Sequence, residues 1–239
     1  MNNINFRSST AEVECEENFP YIPVPCRVGV YGPSQCGKST FIYNLLKFRE
    51  SVFSDTFDHI IYCMPENTHG SRTAYVAALR EICPNIYVHE GLPDTATSSF
   101  SVNNPTEKKL FIYDDLAHSL LTTRASIELM IQNSHHLNIS VIYTSQNYFQ
   151  KSEDGKTFQR QLTAKIIFED RSDSTVLTNI SRVVFRSTTY LHRCLEILKE
   201  TFPEDTHPYL LIGKYIYIYI YIYTILNNIY TTTFIIRTL

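Results

Sequence analysis

The chain has 239 residues, 44% of them hydrophobic and 19% charged, with no Trp. This is enough apolar material for one large domain, and it excludes a chain disordered throughout. A net charge of -3 excludes a uniformly basic nucleic-acid coat but leaves room for a local basic channel.

Residues 1–20 are polar and acidic, show no periodicity and lack an apolar h-region, so they read as a tail and not as a signal peptide. Six cysteines (Cys15, Cys26, Cys36, Cys63, Cys83, Cys194) show no metal-ligand spacing, which favours a reducing, intracellular setting, cytoplasm or nucleus. The segment YIPVP, with Pro23 and Pro25, marks entry to the folded body, expected over 21–213. Strands are expected at 26–31, 59–64, 85–89, 109–114, 139–145 and 164–169, where short apolar runs stand between turn residues. Helices are expected at about 38–48, 71–82, 124–133, 173–184 and 187–201. Strands of this kind separated by helices predict a parallel sheet covered on both faces and joined by right-handed crossovers. The Ser-, Thr-, Pro- and Asn-rich stretch 91–107 reads as a surface loop.

Residues 214–239 differ in kind, opening on YIYIYIYIY at Tyr215–Tyr223. A TA dinucleotide repeat read in frame encodes alternating Tyr and Ile, so this tail is expected to be translated simple repeat. As real protein it would be an exposed strand of period 2. Its apolar run ends at Asn227, short of the roughly 20 residues that span a bilayer, so no membrane partner is expected.

The strongest motif is GPSQCGKS, Gly32–Ser39, which fits G-x-x-x-x-G-K-[ST] between an apolar strand and an amphipathic helix. Gly32 and Gly37 permit backbone angles that other residues resist. Amides of Ser34, Gln35, Cys36, Gly37 and Lys38, following Pro33, can form an anion nest, and the helix beginning near Lys38 adds its positive end. Lys38 reaches the β- and γ-phosphates, Ser39 offers a hydroxyl to Mg²⁺, and Thr40 sits near the α-phosphate. The bland alternative is a Gly-rich turn without ligand. Cys36 in the loop reads as a tolerated small residue.

Further along, KLFIYDDL reads as a buried strand ending in two carboxylates. Asp114 is the expected Mg²⁺ holder, directly or through water, and Asp115 the general base or water-positioning group. ISVIYTSQN is a second such strand. Gln146 at its tip is the expected sensor of the γ-phosphate or attacking water, and Asn147 as a cap is the plainer alternative. His135 and His136 read as loop or packing residues. No guanine-reading motif, transporter-type signature, kinase catalytic loop or GxSxG elbow is present.

The segments PVPCRVGVYGPSQCGKSTFIYNLL, LFIYDDL and NSHHLNISVIYTSQNYF, in that order, resemble the packaging ATPases of the FtsK/HerA superfamily. The likeness is above all to the poxvirus-type genome-packaging ATPases and their relatives in Maverick/Polinton elements. AKIIFEDRSDSTVLTNISRVVF followed by PYLLIG is similar to the family's later strand, helix and closing strand, so the likeness covers roughly 20–213. It implies an α/β fold, the P-loop NTPase three-layer α/β/α sandwich with a mostly parallel sheet (RecA-like, additional-strand type). It also implies an ATP-driven motor with ATP and Mg²⁺ as cofactors. The expected partners are double-stranded DNA bound without sequence preference, further copies in a ring and a capsid or portal-type protein. Lys38, Asp115 and Gln146 take the catalytic places. An arginine supplied in trans would be Arg160, Arg171 or Arg182, although Lys156 and Gln161 depart from the family's pattern nearby. Two other readings stand beside it: a nucleotide or small-molecule kinase, which would need a lid that is not evident, and a degenerate nucleotide-binding relic.

Overall fold

The computed structural model describes residues 22–66, 69–93, 106–122, 137–149, 152–170, 173–201, 203, 207–213, 217–220 and 234–237. Strand β1 (Arg27–Tyr31) leads into helix α1 (Lys38–Lys47) and a single turn, α2 (Arg49–Val52). There follow β2 (His59–Met64), α3 (His69–Ile82), β3 (Ile86–Glu90), β4 (Lys109–Tyr113), α4 (Ala117–Thr122) and β5 (Ile139–Ser145). Then come α5 (Glu153–Gln161), β6 (Ala164–Phe168), α6 (Ser174–Phe185), α7 (Tyr190–Thr201) and β7 (Tyr209–Gly213). Two short strands, β8 (Tyr217–Ile220) and β9 (Phe234–Arg237), extend the sheet edge.

All six expected strands form, each within a residue of its predicted bounds at either end. The reason is burial: β1, β4 and β5 are buried at every position, so each centres on apolar residues, and the buried Ser140 and Thr144 of β5 are hydrogen-bonded. The sheet order is β3-β2-β4-β5-β1-β6-β7-β8-β9. Pairing is parallel from β3 through β6 and antiparallel from β7 outward. The expected helix at 124–133, the N-terminal segment 1–20, and most of the 91–107 loop lie outside the described residues.

Two apolar layers cover the sheet. On one face Ile42 and Leu46 of α1 and Val76 and Leu79 of α3 pack against Val28, Val30, Leu110 and Ile142. On the other, Leu120 of α4, Phe158 of α5, Ile180 of α6 and Leu191 of α7 pack against Phe111, Val141 and Tyr143. The assignment follows from handedness. The crossovers β1 to β2 and β2 to β3 run toward one sheet edge, whereas β4 to β5 and β5 to β6 run toward the other. A constant right-handed crossover must then put α1 and α3 on one face and α4 and α5 on the opposite one, as observed.

Helix α5 has no counterpart among the predicted helices. Its sequence, EDGKTFQRQ, is polar and contains Gly155, so it lacks the apolar periodicity that marks a helix. It forms because Ser152 caps it, accepting the Gly155 N–H at 3.0 Å, and because Glu153 and Asp154 stand in its first turn. One fully buried side chain, Phe158, anchors it, a burial worth about 1.5–3 kcal/mol. Among the described residues no helix is long and apolar enough to cross a membrane.

Candidate functional site

Both strand ends that matter open on the same edge of the sheet. β1 stops at Tyr31, and the Gly32 N–H donates to the Ser145 carbonyl at 3.2 Å, tying the loop to the tip of β5. The chain then turns through Gln35 at φ 63 and Gly37 at φ 98, both left-handed, before α1 begins. Gly37 is the N-terminal cap residue of α1 and makes no side-chain capping bond. A helix leaves its first amides without intrahelical acceptors, so the end of α1 presents N–H groups to whatever the loop encloses.

Gly32 has no room for a side chain: a Cβ there would stand 2.5 Å from Cys36 Sγ and 2.7 Å from Phe168 Cβ. Gly32→Ala therefore forces the loop away from β6. The expected result is a loss of about 1–3 kcal/mol of stability together with weakened nucleotide binding. Denaturant titration and a nucleotide-binding isotherm on the same variant check it; equal affinity would mean that the loop's shape does not matter.

Lys38 is buried, and its ammonium donates to the Gly32 carbonyl at 2.7 Å and the Pro33 carbonyl at 2.6 Å. The loop has curled round its own lysine. Those carbonyls stand in for the anionic oxygens that the same donors would meet in a phosphate. Ser34, Gln35 and Thr40 are exposed, whereas Pro33, Cys36, Gly37 and Ser39 are partly buried. Burial pushes the Cys36 thiol above its ordinary pKa, although the Lys38 charge works the other way. It is therefore a poor nucleophile there, in keeping with its expected passive role.

The acidic pair is built from four elements. Asp114 follows β4 and is 1% exposed. Its Oδ1 accepts from the Thr144 hydroxyl of β5 at 2.8 Å. Its Oδ2 accepts from the Tyr62 hydroxyl of β2 at 2.6 Å and from Arg72 Nη1 of α3 at 2.5 Å. Asp115, at φ 58, gives its N–H to the same Thr144 hydroxyl at 2.8 Å and receives Arg72 Nη2 on Oδ2 at 2.8 Å. Burial, the largest single influence, lowers the Arg72 guanidinium pKa, but Asp114, Tyr62 and Asp115 together outweigh it and drive that pKa up. Burial, and next the Asp114 charge, raise the Tyr62 hydroxyl, so it stays a donor. Tyr75, one turn along α3 from Arg72, donates to the Ser39 carbonyl at 2.8 Å, so α3 also touches the first turn of α1.

Gln146 follows Ser145 directly and is exposed at the tip of β5, one residue from the carbonyl that receives Gly32. Arg160 is exposed on α5, and Arg182 on α6 donates to Asn179 Oδ1 at 2.9 Å. Arg171, His135 and His136 lie outside the described residues. Sequence reasoning did not identify Thr144, Tyr62, Tyr75 or Arg72 as site residues. Thr144 had a detectable signal, standing just before the polar tip of a strand next to the acidic one. Arg72 and the tyrosines had none, because their roles depend on where α3 and β2 lie relative to β4.

The donor chemistry suits a magnesium–nucleotide site. Ser39 and Asp114 offer hard oxygens, and Asp114 Oδ1 carries one hydrogen bond where it can accept two. Among the described residues no group of three or more His, Cys, Asp or Glu side chains could hold a metal by itself. Mg²⁺ in nucleotide sites needs no such cage, since it takes one or two protein ligands and completes its shell with phosphate and water.

β5 lies between the phosphate-loop strand β1 and the acidic strand β4, which makes the inserted strand the bearer of the polar tip. Sheet order, loop and acidic pair together define a P-loop NTPase fold of the additional-strand type, a three-layer α/β/α sandwich. Solved structures similar to the chain include the genome packaging NTPase B204 from Sulfolobus turreted icosahedral virus 2 in complex with ATP-gammaS. That similarity has a TM-score of 0.44 at 12% identity, covering 80% of this chain and 92% of the other. Another is EssC (ATPases 2 and 3) from Geobacillus thermodenitrificans, with a TM-score of 0.42 at 15% identity, covering 64% of this chain and 34% of that one. No protein-family model matches the chain, and no curated protein matches it.

Proposed function

We propose that this chain binds and hydrolyses ATP as a motor of the FtsK/HerA packaging type, moving double-stranded DNA. The observation that carries the reading is the pairing of a loop wrapped round Lys38 with an Asp114–Asp115 tip two strands away, the strand between them ending in Gln146. The amides of the loop and Lys38 grip the triphosphate, Lys38 exchanging its carbonyl partners for β- and γ-oxygens. Ser39 and Asp114 would hold Mg²⁺, the latter directly or through water. When bound, that ion supplies charge neutralisation at the phosphates. Asp115 orients a water and takes its proton as the oxygen attacks the γ-phosphorus and the bond to the β-phosphate oxygen breaks. Gln146 holds the water or a γ-oxygen in line. The chemistry is positioning and electrostatics, with no covalent intermediate.

The segment order PVPCRVGVYGPSQCGKSTFIYNLL, LFIYDDL, NSHHLNISVIYTSQNYF supports the packaging side of the reading, with a ring of copies and a capsid or portal-type protein as partners. Backbone contacts without base reading are expected of such a motor. Phosphate release by the full chain, with and without duplex DNA, tests it. DNA should raise the rate, and the stimulation should fall steeply with salt, with a logarithmic slope of roughly -0.9 per neutralised phosphate. Size measurement in the same buffer should show an oligomer. Phosphate passing to a nucleoside monophosphate regardless of DNA would identify a kinase instead. A nucleotide-dependent rise in Tm without turnover would identify a relic that only binds.

A further inference from the structure

Among the described residues Arg72 is the one guanidinium on the acidic pair, and it spans both carboxylates. Its Nη1 sits on Asp114 Oδ2 at 2.5 Å and its Nη2 on Asp115 Oδ2 at 2.8 Å. With Tyr62 also donating to Asp114 Oδ2, the lone pairs of that oxygen are both used. Only the Oδ1 side, which carries Thr144 alone, is left with capacity. A hydrated Mg²⁺ on a nucleotide presents water protons and a double positive charge to this same surface. It would meet the carboxylate on Oδ1 while the fork sits on Oδ2, so two cationic groups share one carboxylate and compete through charge. The arginine neutralises the pair from the α3 side, and the ion would neutralise it from the loop side.

We propose that Arg72 is a latch on Asp114 and Asp115 that competes with the metal–nucleotide complex and is released when that complex binds. The inference rests on the nucleotide-site reading above. Its consequence is mechanical as well as electrostatic. Arg72 and Tyr75 lie one turn apart on α3; Arg72 holds the acidic tip and Tyr75 holds the Ser39 carbonyl of the phosphate-loop helix. The Tyr62 and Tyr75 rings lie 5.9 Å apart and join the two contacts. Opening the latch frees the Arg72 contact of α3 while the Tyr75 contact one turn along stays on α1, so metal occupancy is converted into a change in how the N-terminal half of α3 is held. Arg72 is thus a positioning residue, acting through the carboxylates.

The latch makes a signed prediction. If the competent state is only the latch-open fraction, the apparent metal affinity is reduced by that fraction, and removing the arginine restores it. Mant-ADP binding to the full chain is followed by fluorescence, first in EDTA and then with rising MgCl₂. Arg72→Ala should lower the Mg²⁺ midpoint by about ten-fold, the worth of one charge-assisted hydrogen bond. Arg72→Lys, which keeps the charge but reaches one carboxylate at a time, should fall between the two. A midpoint unchanged or raised in Arg72→Ala overturns the latch, since it would mean that the arginine is indifferent to the ion or helps to hold it. Should Arg72→Ala fail to fold, Arg72→Lys decides alone, and a midpoint equal to or above that of the wild type overturns the proposal. Failure of the wild-type chain to bind mant-ADP at any Mg²⁺ level brings down the nucleotide reading itself, and the latch with it.

Discussion

Lys38→Ala should abolish the proposed ATP hydrolysis and weaken ATP binding by ten-fold or more, while the fold survives. The ammonium makes two hydrogen bonds to the Gly32 and Pro33 carbonyls of a loop whose Ser34 and Gln35 are exposed. The stability change should be about 1–3 kcal/mol, the net worth of two ordinary hydrogen bonds. Toward a triphosphate the balance is different. Each charge-assisted bond to a phosphate oxygen contributes about 1.5–3 kcal/mol, and negative charge grows at the β–γ bridge as the bond breaks. Loss of one donor aimed at developing charge costs about 10²–10³ in rate, before any loss of position is counted. A steady-state phosphate assay and a binding isotherm on the purified variant check both halves. Turnover equal to the wild type would remove the loop from the chemistry and with it the central reading.

The second large effect is expected at Asp114, and the two obvious substitutions should separate stability from catalysis. Asp114→Ala strips the acceptor from Thr144, Tyr62 and Arg72 together. The Arg72 side chain is 20% exposed, so its charge is left mostly buried. Breaking a buried pair in this way costs about 3–5 kcal/mol. At roughly 2–4 °C per kcal/mol for a chain of this size, Tm should fall by about 6–20 °C. Asp114→Asn is different. Its oxygen can still accept from Tyr62 and Arg72, and its amide can donate to the Thr144 hydroxyl, which also has acceptor capacity. Most of the stability should remain, while Mg²⁺-dependent hydrolysis is lost with the carboxylate charge. Thermal melts beside ATPase rates settle the comparison. An Asn variant that hydrolyses at the wild-type rate would show that Asp114 only packs and never meets the ion.

Helix α5 and helix α3 show opposite limits of reading local pattern. α3 was legible because Tyr75, Val76, Leu79 and Ile82 recur at helical spacing toward the core. Yet nothing in that pattern marked Arg72, which occupies the flank of the stripe and faces a strand distant in the chain. α5 was invisible because a single buried Phe158 gives no period, and its formation depends on a serine cap and a slot between neighbours. The closing β7 was legible from the family resemblance as PYLLIG, and its antiparallel pairing with β6 became apparent only in the sheet.

The amino-acid order alone determined the phosphate loop, the buried strands and the carboxylate and amide tips, because each is a contiguous strand-to-loop unit whose geometry is set within about ten residues by glycine angles, burial and a helix start. Tertiary structure decided which tips share a site and what holds them. The insertion of β5 between β1 and β4 brings Thr144 under both aspartates, and the crossing of α3 over that sheet end delivers Arg72 to them. Those contacts join residues 29 or 30 positions apart for Thr144 with the pair and 42 or 43 apart for Arg72 with it, so no local spacing can encode them. They exist because a constant crossover hand and two-faced burial leave the chain one way to stack its layers.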